Sequence, residues 1–207
     1  MKAKDDLITL SDYVFGRTRT RLAGLTDPEY FWEPVAGCWS VRLRQDDVAV
    51  VDWDPHPEAS PFTTIAWRLW HLVFNYGQGR NEQWLLGSDD GEGDRRCAPR
   101  PTAAAALVAL DEANDWWAGV LSQLKEDDLS APLGPGAGPY ADNSKASYVL
   151  HQLDEMIHHG AELGVLQTFA RLAFRDGASP DDLLETCSVT LRSNERLRPS
   201  DCDPASR

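Results

Sequence analysis

Four long stretches of the chain place apolar residues at helical spacing, and connectors rich in glycine, proline and polar residues separate them. The periodic stretches cover residues 5–23, 62–86, 102–124 and 144–170. Apolar residues that recur every three to four positions give a helix one face that must be buried against another element. The pattern predicts an all-α protein whose helices form a four-helix bundle.

Shorter features complete the predicted architecture. The segment 31–53 alternates in "VRLRQDDVAVVDW", which favours a small extended hairpin between the first and second helices. Thr102 is a plausible N-cap for the third helix, and a fifth helix is predicted to begin at Ser179. Residues 1–192 are expected to form one domain, with residues 193–207 as a disordered tail.

Charge and composition exclude several classes of protein. The chain has 33 acidic and 20 basic residues, which gives a formal net charge of −13. This balance argues against binding to nucleic acid or to an anionic membrane surface. The start of the chain lacks a secretory signal, and the four cysteines are scattered without CxxC spacing. We therefore expect a cytoplasmic protein with reduced thiols, whose partner is a small molecule or another protein.

The last long helix carries an unusual polar stripe in "LHQLDEMIHHGAELGVL", residues 150–166. His151, Glu155, His159 and Glu162 fall within roughly 40° of one line on the helix surface, and His158 lies about 60° to one side. Neither lysine nor arginine occurs between Lys145 and Arg171. A solvated helix face of this length usually mixes both signs of charge. The stripe is therefore interpreted as a buried functional face rather than a solvated one.

Like the last long helix, the second helix has an apolar face, its back, and a polar face, its front. His71 shares its face with Thr64, Trp67, Asn75 and Gln78. A lone histidine would more often be structural than a metal ligand. Two helices that each carry histidine on the polar front are better explained together, with the two fronts facing one another across a cleft.

Helical spacing limits which residues can share a metal ion. Residues at i and i+4 are about 6 Å apart along the axis, whereas His151 and His159 are about 12 Å apart, too far for one ion. The pairs that remain are Glu155 with His159, His151 with Glu155, and Glu155 with His158. Two ligands from this helix and a third from another would leave one coordination position open, as in catalytic zinc or similar divalent sites.

The segments "TTIAWRLWHL" and "LHQLDEMIHHGAELG" together resemble the DinB-like superfamily, in the branch that includes mycothiol-dependent maleylpyruvate isomerase. The segment "PVAGCWSV" resembles the Gly-x-Trp-Ser segment of that branch, and the resemblance covers most of residues 5–170. It implies a four-helix bundle that holds a divalent metal, commonly zinc or nickel, through His71, Glu155 and His159. The surrounding groups would then be His151, His158, Glu162, Trp39, Trp67, Asn75 and Gln78.

The resemblance also implies a class of reaction. A low-molecular-weight thiol such as mycothiol or bacillithiol would be the cosubstrate, and the protein would be a metal-dependent thiol S-transferase or isomerase that acts on a small electrophile. The sequence ends soon after the predicted fifth helix, whereas the isomerase carries a further C-terminal domain, so identity with the isomerase itself is not expected. A metal-activated-water hydrolase and a non-enzymatic metal-binding or stress-response protein remain alternatives. A homodimer is compatible with the resemblance.

Overall fold

The computed structural model describes residues 2–46, 48–54, 56–58 and 61–176. In chain order its helices and strands are α1 (Ala3–Arg21), α2 (Asp27–Phe31), β1 (Val41–Leu43), β2 (Ala49–Val51), α3 (Ile65–Gly77), α4 (Arg80–Leu86), α5 (Gly93–Arg96), α6 (Ala103–Gln123) and α7 (Lys145–Asp176). Two short 3-10 helices, Glu126–Ser130 and Pro135–Tyr140, lie between α6 and α7.

The four long helices α1, α3, α6 and α7 form the bundle. Helix α3 packs against both α6 and α7, and α1 packs mainly against α7. Their apolar faces meet in one core, whose largest fully buried side chains include Tyr76, Leu110, Trp117, Leu153 and Met156. This arrangement confirms the predicted all-α four-helix bundle.

Threonine side chains mark the start of two bundle helices. Thr64 Oγ1 accepts a hydrogen bond from the Trp67 backbone N–H at the start of α3, and Thr102 Oγ1 accepts one from Ala105 at the start of α6. Each bond satisfies an N–H group that the first helical turn leaves without a partner. Thr102 is the N-cap that the sequence predicts, and Thr64 sets the beginning of the helix that carries His71.

The predicted hairpin is confirmed and is attached to the start of α3. Strands β1 and β2 pair antiparallel, with Val41 opposite Val51 and Leu43 opposite Ala49. The backbone N–H of Asp52 donates to Ser40 O, and the Thr64 hydroxyl donates to Ser40 Oγ at 2.9 Å. These bonds place the end of the hairpin beside the first turn of α3.

The prediction of a single helix over residues 62–86 is wrong, because the helix is interrupted between α3 and α4. Gln78 is extended, with φ −71° and ψ 140°. The Asn81 side-chain amide donates to Asn75 O at 2.8 Å and to Tyr76 O at 2.9 Å. These carbonyls would otherwise accept bonds from the backbone of a continuing helix, so the asparagine side chain replaces the next helical turn.

Helix α7 begins where the sequence predicts and is longer at its far end. The Ser144 hydroxyl oxygen accepts a hydrogen bond from the backbone N–H of Ser147, and the helix runs to Asp176 rather than ending near residue 170. The predicted fifth helix from Ser179 and the predicted tail 193–207 lie outside the described residues. Within the described part of the chain, no helix is both long and apolar enough to cross a membrane.

Helices α1 and α7 approach each other closely where Gly160 faces Thr18. A Cβ atom on Gly160 would lie far inside van der Waals contact of Thr18 Oγ1 and 3.3 Å from Thr18 Cβ and Cγ2. Thr18 is only 1% exposed, so its side chain has little room to move away. Gly160 directly follows His159, and the close approach therefore also sets where α7 presents that histidine.

We expect Gly160→Ala to lower the free energy of unfolding by about 1–3 kcal/mol, since overpacking outweighs the gain of about 1 kcal/mol that alanine has over glycine in a helix. Urea unfolding followed by circular dichroism measures the change. Gly119→Ala in α6 is the control, because nothing lies within 4 Å of its added Cβ, and it should leave stability unchanged or raise it. Equal effects at the two glycines would contradict a tight α1–α7 contact.

Candidate metal centre

Two helices bring three potential metal ligands to one point. Helix α3 supplies His71, and α7 supplies Glu155 and His159, which lie one helical turn apart. Glu155 Oε2 is 3.1 Å from His71 Nε2 and 3.2 Å from His159 Nε2. The two imidazole rings are nearly perpendicular, with centroids 4.7 Å apart. Both Nε2 atoms therefore converge on the same carboxylate oxygen.

The three side chains are largely buried between the helices, with exposed fractions of 18% for His71, 23% for Glu155 and 11% for His159. Hydrogen bonding with His159, and then with His71, holds the pKa of the Glu155 carboxyl well below its usual range, although burial acts in the opposite direction. The carboxylate is consequently ionised at neutral pH, which is the form that binds metal.

The donor set fits a divalent metal. One ligand atom from each of His71, Glu155 and His159 lies within 4.8 Å of the other two. In a tetrahedral zinc site with bonds of about 2.0–2.1 Å, ligand atoms are roughly 3.3 Å apart. The observed separations of 3.1 and 3.2 Å from Glu155 agree with this value. His71, Glu155 and His159 thus form a group that could hold a metal, and their role as ligands stays a prediction.

A positive charge beside His159 was missed by sequence reasoning. Arg68 Nη1 on α3 lies 2.7 Å from Glu162 Oε2 and 2.8 Å from His159 Nδ1. Glu162 Oε2 is itself 2.7 Å from His159 Nδ1. Arg68 can only donate, so Nδ1 cannot form hydrogen bonds with both Arg68 and Glu162 at once. With Glu162 as the acceptor of Nδ1–H, the carboxylate fixes the tautomer and leaves Nε2 free for a metal. Arg68 precedes His71 by three residues, but the prediction of a stripe without positive charge considered only the residues of α7.

The other histidines of the stripe lie apart from His71. The side chain of His158 is 60% exposed and contacts Glu162 Oε1 at 3.3 Å. His158, His159 and Glu162 form a second group of potential ligands, but the Arg68 guanidinium contacts two of its three members. His151 is exposed and lines a cavity beside the start of α7. Among the described residues, neither histidine joins the group formed with His71.

Replacing Glu162 by alanine is expected to weaken divalent-metal binding about 10- to 100-fold, because the partner that orients His159 is lost. Glu162→Gln retains an oxygen that accepts the Nδ1–H bond and should lose less. Titration with zinc in a calorimeter measures both affinities. The control is His158→Ala, which removes the exposed partner of Glu162; an equally large loss in that variant would contradict the role assigned to the contact with His159.

The predicted pocket residues take different positions around the triad. Asn75 Nδ2 donates to Glu155 Oε2 at 3.1 Å, and the Trp67 ring stacks on His71 with centroids 5.0 Å apart. Gln78 instead donates to Asn75 O, and Trp39 packs on Trp67 without reaching the triad. His71 Nδ1 is buried without a hydrogen-bond partner among the described residues. Stacking on Trp67 and the contact of Nε2 with Glu155 therefore hold its ring.

An apolar cavity of about 320 Å³ adjoins the triad at His71. Its other lining residues are Val51, Trp53, Trp70 and Phe74. Trp53 follows the hairpin and stacks nearly parallel to Trp67, while Trp70 packs edge-on against both rings. Neither tryptophan was predicted as a pocket residue, because a single aromatic residue in a loop or on a helix gives no signal of its own. The cavity thus places apolar surface beside His71.

Comparison with known proteins identifies the family but no individual relative. The family model described as the DinB superfamily matches residues 12–163, a span that contains His71, Glu155 and His159. Neither the curated proteins nor the solved structures contain a match to the chain. The matched span covers well over half of the sequence, and the helical bundle agrees with it. The chain therefore belongs to the DinB superfamily.

Proposed function

We propose that the protein is a metal-dependent enzyme that joins a low-molecular-weight thiol of the mycothiol type to a small electrophile, or isomerises the electrophile with that thiol as cofactor. The observation that carries the proposal is the convergence of three donors from α3 and α7 beside an apolar cavity. Three protein ligands leave one coordination position for an exogenous group, whereas closed structural sites use four. The resemblance of "PVAGCWSV" and of the Glu155–His159 pair to the isomerase branch supports the choice of a thiol.

His71, Glu155 and His159 would hold the metal, with zinc as the first candidate and nickel as the second. When bound, a divalent metal lowers the pKa of a thiol that it coordinates. Glu162 and Arg68 hold His159 in place, and Asn75 and Trp67 orient Glu155 and His71.

The tryptophan side chains of the cavity would exclude water and contact the apolar part of the electrophile. In transfer, a carbon–sulfur bond forms, the leaving group departs with its electron pair, and the thiol proton passes to solvent. In isomerisation, the same bond forms and later breaks, so the thiol is regenerated.

Metal analysis of the purified full-length protein tests the first part of the proposal. We expect about one divalent ion per chain, and a large loss of metal in His71→Ala. His56→Ala is the matched control, because His56 lies in the exposed segment before α3. Normal metal content in His71→Ala would contradict the assigned site.

Turnover of 1-chloro-2,4-dinitrobenzene with mycothiol, bacillithiol or glutathione tests the thiol. Activity that requires both metal and thiol supports the proposal. Hydrolysis of p-nitrophenyl acetate that needs metal but no thiol would favour a metal-activated-water hydrolase instead. Metal binding that raises stability without turnover of either compound would identify a non-enzymatic metal-binding protein.

A further inference from the structure

A second cavity, distinct from the one at His71, lies beside the start of α7. Its volume is about 360 Å³, which is in the range of pockets that bind small molecules. The first two turns of α7, the start of α4 and the 3-10 helix Pro135–Tyr140 contribute to it. The lining residues used below are Arg80, Trp84, Tyr140, Asn143, Tyr148 and His151.

The charge of this cavity is opposite to that of the protein as a whole. None of its lining residues is a carboxylate, although the chain carries a formal net charge of −13. Arg80 has no ion-pair partner in the described part of the chain, whereas Arg68, Arg95 and Arg96 are each paired. A guanidinium without a carboxylate partner is a strong binding group for an external anion.

Aromatic rings hold Arg80 in place and form the apolar part of the cavity. The Arg80 guanidinium carbon lies 5.3 Å from the Trp84 ring centroid and 5.8 Å from that of Phe74. Trp84 in turn packs against Tyr148, with ring centroids 5.0 Å apart. A guanidinium supported on two aromatic rings loses little freedom when it binds an anion.

The remaining polar groups favour a carboxylate with an apolar body. The Asn143 amide and the His151 ring can donate hydrogen bonds beside Arg80. The Tyr148 hydroxyl is already used, since it donates to Asn81 Oδ1 at 2.5 Å. Trp84 and Tyr140 offer apolar surface for the rest of the ligand. One strong cation with few donors and much apolar surface suits a singly charged organic acid better than a phosphate, which needs more donors.

The cavity lies close to the metal centre. His151 precedes Glu155 by four residues, or about 6 Å along α7. Phe74, which lies under Arg80, also lines the apolar cavity at His71. Arg80 and the cavity at His71 therefore both contact Phe74.

We propose that the cavity at Arg80 binds the carboxylate of a small organic acid with an aromatic or unsaturated apolar body. Where such an acid is the electrophile, binding at Arg80 selects it. This last step rests on the proposed thiol-dependent reaction, whereas binding of the acid at Arg80 does not.

Calorimetric titration of the full-length protein with benzoate and trans-cinnamate tests the site, both as purified and after metal removal with EDTA. We expect binding in both forms, and at least about tenfold weaker binding in Arg80→Gln. Arg95→Gln is the control, because Arg95 is a largely exposed arginine of α5 paired with Glu92, and it should bind both acids normally. Thermal unfolding of each variant shows whether it is folded.

Several outcomes would overturn the proposal. Failure of both acids to bind would overturn it, as would binding to Arg80→Gln that is as tight as binding to the unmodified protein. Equal binding of benzamide and benzoate would mean that the cavity selects an apolar ring rather than an anion. Arg80-dependent binding of inorganic phosphate without binding of the acids would contradict the assignment of a carboxylate. Binding that is lost after metal removal and is unchanged in Arg80→Gln would indicate that the carboxylate binds the metal. Absence of thiol-dependent turnover would leave the binding result standing and contradict only the proposed function.

Discussion

Replacing Glu155 by alanine is expected to weaken the binding of a divalent metal by more than about 100-fold. Its Oε2 atom lies 3.1 Å from His71 Nε2 and 3.2 Å from His159 Nε2, so Glu155 is the donor that both histidines share. Four-ligand zinc sites bind with roughly 10–16 kcal/mol, so one ligand contributes about 3 kcal/mol, and about 1.4 kcal/mol changes an affinity tenfold. The rate of any reaction that depends on the metal should fall as metal affinity falls.

Competition with a chromophoric zinc chelator measures the affinity, and thermal unfolding with and without EDTA gives an independent readout. A metal present at about 100 times its dissociation constant stabilises the native state by roughly 2.7 kcal/mol. EDTA should therefore lower the Tm of the unmodified protein and leave that of Glu155→Ala unchanged. Asp154→Ala, an exposed neighbour on α7, is the control and should behave like the unmodified protein. Normal zinc affinity in Glu155→Ala would rule out the triad.

Replacing Trp117 by alanine is expected to lower the free energy of unfolding by about 3–5 kcal/mol. Trp117 is fully buried in the second half of α6, and its ring lies 5.3 Å from that of Tyr76 on α3. Its indole N–H donates to Ser11 Oγ on α1 at 3.2 Å. The substitution leaves a cavity between three helices and removes the hydrogen-bond donor of a buried hydroxyl, so both losses act in the same direction.

Urea unfolding followed by circular dichroism at 222 nm measures this loss, and Trp117→Phe should lose less because it keeps most of the apolar volume. The neighbouring Trp116→Ala is the matched control. Trp116 is half-buried and packs under the Arg96 guanidinium at 4.0 Å, so its loss should cost no more than about 1.5 kcal/mol. Similar values for the two tryptophans would contradict a core centred on Trp117.

Much of the fold could be predicted because helical periodicity is local. The long helices, the hairpin and the N-cap at Thr102 follow from patterns within about twenty residues of each feature. The end of α3 after Gly77 does not follow from a local pattern, because it depends on hydrogen bonds from the Asn81 side chain to the carbonyls of Asn75 and Tyr76. The apolar pattern continues through the break, since α4 buries Leu85 in the same core as α3.

The candidate site was predictable in part. Spacing on α7 made Glu155 the common member of every allowed pair, and the polar face of the second helix supplied His71. The resemblance to the DinB-like superfamily then selected His159. Arg68, Trp53 and Trp70 could not be assigned in this way, because their contacts with the site cross from one element to another. His151 shares the helical stripe, yet it lies at a cavity of its own, since a stripe extending over about 16 Å passes more than one neighbour.

The sequence alone determined the helices, their apolar faces and the residues of α7 that are close enough to share an ion, because each depends on a rise and a rotation that every α-helix has. Only the tertiary structure decided which atoms meet. The packing of α3 against α7 brings both Nε2 atoms to Glu155 and brings Arg68 to Glu162. The close approach of α1 at Gly160 sets the position of α7 beside His159. These distances depend on side chains far apart in the chain, and no local pattern encodes them.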